Sequence, residues 1–116
     1  MESPQRLAPW PKGRPPFRED ESAAALATLS SRWSVLDARL RTKVATKDFA
    51  QALALAQAVG ALAETAWHHP ELKVGWGQLE VTLWTHSAGG LTELDFTLAR
   101  WIDALLANLE SAAREG

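Results

Sequence analysis

Proline divides this chain of 116 residues more sharply than any other residue type. Pro4, Pro9, Pro11, Pro15 and Pro16 crowd the start, and Pro70 stands alone. Proline fixes φ and has no amide donor, so residues 1–18 can form neither a regular helix nor a paired strand. They read as a flexible or polyproline-like arm. Trp10 and Phe17 are the side chains that could dock it on the domain or on a neighbour. Residues 19–116 are then one domain of ordinary size. Pro70 ends any helix before it and drives His69 out of the α region.

Hydrophobic periodicity orders the rest. A short covering helix is expected over about residues 20–31, capped by Asp20 or Ser22. Residues 33–37 and 39–46 read as a hairpin. In its second strand Leu40, Thr42 and Val44 alternate with Arg39, Arg41 and Lys43. A helix is expected over 47–68, capped by Thr46 or Asp48. Phe49, Leu53, Ala56, Ala63 and Trp67 form one apolar stripe on it. Ala52, Leu55, Val59 and Leu62 form a second, so the apolar surface is wider than one sheet contact needs. Gly60 costs roughly 1 kcal/mol in mid-helix, and a close helix crossing would account for it. After Pro70, residues 72–76 and 79–84 read as two more strands with a turn near Gly77. A last helix is expected from Thr92 to about Ala113. The order helix-strand-strand-helix-strand-strand-helix gives an α+β fold: a four-stranded antiparallel sheet with three helices packed on one face.

Composition closes off several functions. The net charge is −2 and the isoelectric point about 5.9, which gives no electrostatic case for nucleic-acid binding. There is no cysteine, hence no disulfide framework or thiol chemistry. No apolar run approaches transmembrane length and no signal-peptide core is present. A cytoplasmic protein without a membrane partner is expected.

All three histidines lie between Glu64 and Asp95. His68 and His69 stand before Pro70, in the expected last turn of a helix, where the helix dipole favours imidazolium. Glu64 is four residues before His68, hence on the same helical face. His86 follows a strand and precedes Gly89-Gly90. Each residue also has a local structural reading. Thr92 is a good N-cap and Asp95 completes a capping box. Trp84, on a mostly polar strand face, reads either as a ligand-stacking ring or, better, as a subunit contact. His86 has no obvious local partner. Glu64, His68 and His86 could also form a metal site, but no fourth ligand is evident.

Glu64, His68-His69-Pro70, Trp76, His86 and Asp95 together resemble the signature of the pterin-4a-carbinolamine dehydratase family. Lys47-Asp48-Phe49 and the run from Thr82 to Thr92 are also similar to it, and the likeness covers about residues 33–105. The resemblance implies the same α+β fold and a homodimer or homotetramer. It implies removal of water from 4a-hydroxytetrahydropterin to give quinonoid dihydropterin, with no cofactor or metal. By the same resemblance His68 and His86 are the acid–base pair, with Asp95 holding His86 or the substrate. His69, Glu64, Pro70 and Trp76 then bind substrate, Glu64 by orienting His68 and Trp76 by shaping the pocket wall. Gly77, Trp84 and the short connection at Asp37-Ala38 depart from the family pattern. The family also includes assembly or dimerisation cofactors, one branch acting on RuBisCO. A protein partner through helix 47–68 or the arm is the alternative that this implies.

Overall fold

The computed structural model describes residues 3–115. Three helices, α1 (Glu19–Leu26), α2 (Phe49–Ala66) and α3 (Glu93–Glu115), cover a four-stranded antiparallel sheet. The strands are β1 (Trp33–Leu36), β2 (Arg39–Ala45), β3 (Glu71–Gly75) and β4 (Gln78–Leu83), in the spatial order β1-β2-β4-β3. This is the α+β architecture and element order that the periodicity gives.

Alternation decides which face is covered. Leu40, Leu79, Val81 and Leu83 are fully buried on one face of the sheet. Against them pack Leu55, Val59 and Ala63 of α2 and Phe96, Leu98 and Ile102 of α3. On the other face Lys43, Glu80 and Lys73 lie side by side across three strands. Opposite charges in such cross-strand pairs favour this register over a one-residue slip.

The structure corrects three expectations and decides between the two caps offered for α2. First, α1 stops at Leu26, short of Ser31, and Arg18 takes the cap position, with its N–H bonded to Glu21. Second, the cap of α2 is Asp48, whose carboxylate accepts from the Gln51 N–H at 2.8 Å. Third, α2 ends at Ala66, because Trp67 adopts a left-handed conformation with φ 56°. His68 and His69 therefore lie beyond the helix. Fourth, a Cβ on Gly60 would meet nothing within 4 Å, so among the described residues no close helix crossing occurs there.

The buried stripe of α2 comprises Ala52, Leu55, Ala56, Val59, Ala63 and Ala66. Phe49 and Leu53 stay about half exposed. The β1–β2 turn is the tight kind with positive φ at both central residues, Asp37 (52°) and Ala38 (57°). Alanine there carries a backbone cost of roughly 1–2 kcal/mol that glycine would not.

Asp103 of α3 ties β1 and the connection that precedes it to the core. Its carboxylate accepts from the Ser30 N–H at 2.9 Å and the Trp33 Nε1–H at 2.8 Å. Among the described residues no helix is long and apolar enough to cross a membrane.

The arm, from Ser3 to Phe17, has neither helix nor strand, as its prolines require. It lies along the domain. The Leu7 N–H donates to Ala66 O at 2.9 Å, and the Phe17 N–H to Leu91 O at 2.7 Å.

Candidate active site

The end of α2, the end of β4 and the start of α3 meet at one edge of the sheet. An open cleft of about 360 Å³ lies there, lined by residues that include His68, His69, Trp84, Thr85 and His86.

Asp95 is the centre of the arrangement. It stands in the first turn of α3 and is fully buried. Thr92 begins that helix as its cap, with its Oγ1 accepting from the Leu94 N–H at 3.2 Å. Asp95 Oδ2 accepts from the Thr92 N–H at 2.9 Å, which is the capping-box contact. The same oxygen accepts from the Thr85 hydroxyl at 2.8 Å. The other oxygen, Oδ1, lies 2.6 Å from His68 Nε2. Three polar partners offset the desolvation of this buried side chain.

The local fold explains why His68 reaches Asp95. Trp67 leaves the helical path, and the His68 N–H closes back on Ala63 O at 3.3 Å. The side chain then turns towards α3 and keeps only 12 % exposure. This corrects two expectations. Glu64 does not orient His68, because the four-residue spacing holds only while the helix continues. Glu64 is instead hydrogen-bonded to Nε2 of His69, on an exposed surface. Asp95 likewise holds His68 and not His86.

His86 opens a short 3-10 turn, His86–Ala88, rather than ending β4. A Thr85–Gly90 bridge closes the base of this turn, with the Thr85 N–H on Gly90 O at 2.9 Å. The exposed imidazole lies against Trp84, with ring centroids 4.3 Å apart. The Arg39 guanidinium caps the same indole at 4.1 Å. Within this chain Trp84 is thus a ring lining the cleft beside a histidine. Among the described residues, no side chain hydrogen-bonds the His86 ring.

Pro70 separates the histidine pair from β3. Trp76 lies at the β3–β4 turn, 76 % exposed, and does not line the cleft. The reason is directional: this turn lies where β4 begins, and the cleft lies where β4 ends. Glu64, His68 and His86 are not brought together as a ligand set, since each of the first two has a different partner. Among the described residues no group of three His, Asp or Glu side chains converges as metal ligands would.

Sequence reasoning passed over several contributors. Thr85 carries the hydroxyl that joins the His86 turn to Asp95. Arg39 reaches the site from β2. Trp67 and the arm from Arg6 to Trp10 line the cleft. Thr85 was the one with a readable signal, as the only other hydrogen-bonding side chain adjacent to His86 on the strand side.

An α+β domain whose sheet edge carries a histidine-lined cleft, with one histidine held by a buried carboxylate, is the class defined by fold and geometry. The chain belongs to the pterin 4 alpha carbinolamine dehydratase family, whose model matches residues 15–105. A protein of Alkaliphilus metalliredigens named "Putative pterin-4-alpha-carbinolamine dehydratase" is 35 % identical over 100 residues, 85 % of this chain and 90 % of its own. A Rickettsia bellii protein of the same name is 39 % identical over 104 residues, 89 % of this chain and 92 % of its own. A solved Brucella melitensis structure, described as a transcriptional coactivator/pterin dehydratase, superposes with a TM-score of 0.70 at 34 % identity. That likeness covers 77 % of this chain and 96 % of the other.

Proposed function

We propose that this chain is a hydro-lyase that dehydrates 4a-hydroxytetrahydropterin to quinonoid dihydropterin, as a step of pterin recycling. The observation that carries the reading is the His68–Asp95 contact beside His86 in one cleft.

The elimination needs a base at N5 and an acid at the C4a hydroxyl. Asp95 already accepts two other hydrogen bonds, so it holds His68 with the proton on Nε2. The neutral ring then has its lone pair on Nδ1, the orientation a general base requires. His68 takes the N5 proton. The N5 electrons form the N5=C4a double bond, the C4a–O bond breaks, and His86 protonates the departing hydroxide to give water. Solvent exchange afterwards restores both imidazoles. Asp95 acts through His68, and His69, steadied by Glu64, orients the ring. General acid–base help of this kind supplies on the order of 100- to 10,000-fold.

The test is decay of chemically generated 4a-hydroxytetrahydropterin, followed by ultraviolet absorbance, with wild type beside a His68→Ala/His86→Ala variant. Acceleration by the wild type alone supports the reading. Equal decay with wild type, variant and buffer ends it.

The half-exposed Phe49 and Leu53 on α2 favour a further contact surface. We infer a homodimer or homotetramer in the cytoplasm. A protein-partner role through α2, as an assembly or dimerisation cofactor without catalysis, is the second reading. It requires that the cleft be inactive.

A further inference from the structure

The family match begins at residue 15, yet the cleft is lined by residues well before it. The arm is tied down on both sides of the histidines. Leu7 is bonded to the last residue of α2, and Phe17 to the residue before Thr92. Between these anchors Pro16 lies so close to Gly90 that a Cβ there would come within 3.1 Å of the proline Cβ.

Trp10 is held on three sides. Its Nε1–H donates to Arg14 O at 3.1 Å, and the Arg14 guanidinium lies 4.4 Å over its ring. Its ring meets Phe17 edge-on at 6.1 Å, and Phe17 stacks on the buried Phe96. The indole N–H is therefore satisfied inside the arm. What Trp10 offers the cleft is a fixed apolar surface. The Arg6 guanidinium lies over the Trp67 ring, 5.2 Å from its centroid. A guanidinium over a ring uses its charge there and not its N–H donors.

We propose that Arg6, Pro9 and Trp10 form a substrate subsite that selects the substituent at C6 of the pterin. The inference rests on the dehydratase reading above. C6 is bonded to N5, the nitrogen that gives up its proton. A substituent on C6 must therefore lie beside the histidines, in the cleft that Arg6, Pro9 and Trp10 also line. Pro9 and Trp10 suit a short carbon chain, and the Arg6 edge suits hydroxyls on it. Arg6 and Trp10 are specificity residues and take no part in proton transfer.

The experiment compares two 4a-hydroxytetrahydropterins, one with methyl and one with dihydroxypropyl at C6. Wild type is run beside Trp10→Ala, Arg6→Ala and Leu7→Pro, the last of which removes the N–H that anchors the arm. Wild type should prefer the dihydroxypropyl substrate in kcat/KM. Each variant should lose that preference by about tenfold, the size of a pocket contact, and the loss should fall on KM. Variants that keep the wild-type preference and KM overturn the subsite and leave the dehydratase reading intact. If Leu7→Pro unfolds, the two side-chain variants decide alone. If wild type gives no turnover, calorimetric binding of the two tetrahydropterins replaces it. Binding preference that depends on the arm then sustains the subsite while the dehydratase reading falls. Absence of that preference ends both.

Discussion

His68 and Asp95 are 27 residues apart in sequence, and their side chains meet at 2.6 Å. One oxygen of the carboxylate serves His68. The other serves Thr85, the neighbour of His86. A single buried group thus fixes both segments that carry the cleft histidines.

Asp95→Asn should separate this role from capping. The amide oxygen would stay with Thr85 and Thr92, which need an acceptor. The amide nitrogen would then face His68 and favour the tautomer protonated on Nδ1. Turnover should fall on the order of 100- to 10,000-fold, as loss of a correctly poised base implies. The melting temperature should change little. A variant with full activity would leave Asp95 with the helix cap alone.

Glu64→Gln should behave differently. Its partner His69 is half exposed, and such surface pairs contribute at most about 1 kcal/mol. KM should rise by less than about fivefold, the equivalent of that energy, with kcat unchanged. Steady-state kinetics on both carboxylate variants side by side would check the contrast. A large fall in kcat would return Glu64 to the acid–base machinery.

Asp103→Ala should be a stability variant. It strands the indole N–H of the buried Trp33, while the exposed Ser30 amide can turn to water. Orphaned buried donors cost about 1–3 kcal/mol, and urea unfolding should show a loss of about 2 kcal/mol in that range. Activity per folded molecule should survive, because Asp103 does not line the cleft.

Gly60→Ala should stabilise the chain by about 1 kcal/mol, the helix-propensity difference. The new methyl has open space around it. A lower melting temperature together with dissociation on a sizing column would place a second subunit's helix against Gly60.

Much of this was legible in the sequence because it depends on local pattern. Leu40, Leu79, Val81 and Leu83 are buried by strand alternation, and Thr92 and Asp95 cap α3 by short-range rules. The histidine cluster was visible as a cluster. Its wiring was not, because one backbone event decides it. Trp67 enters the left-handed region, so Glu64 and His68 stop sharing a face and His68 finds a partner on α3. Helical spacing cannot announce the residue at which helical spacing ends. Arg39 over Trp84 and the arm over the cleft are long-range contacts between exposed or irregular segments, where periodicity carries no information.

The Thr85–Asp95–Thr92 bonds have a thermal consequence. Most catalytic clefts open before their scaffolds melt, since their loops belong to the least protected part of the structure. Here the carboxylate that aligns His68 also closes the first turn of the longest helix and pins the end of the central strand β4. Heat cannot disarrange the imidazole without fraying α3. Inactivation and unfolding should therefore trace the same curve, and the amides of Thr85 and Thr92 should exchange with deuterium only as slowly as the core.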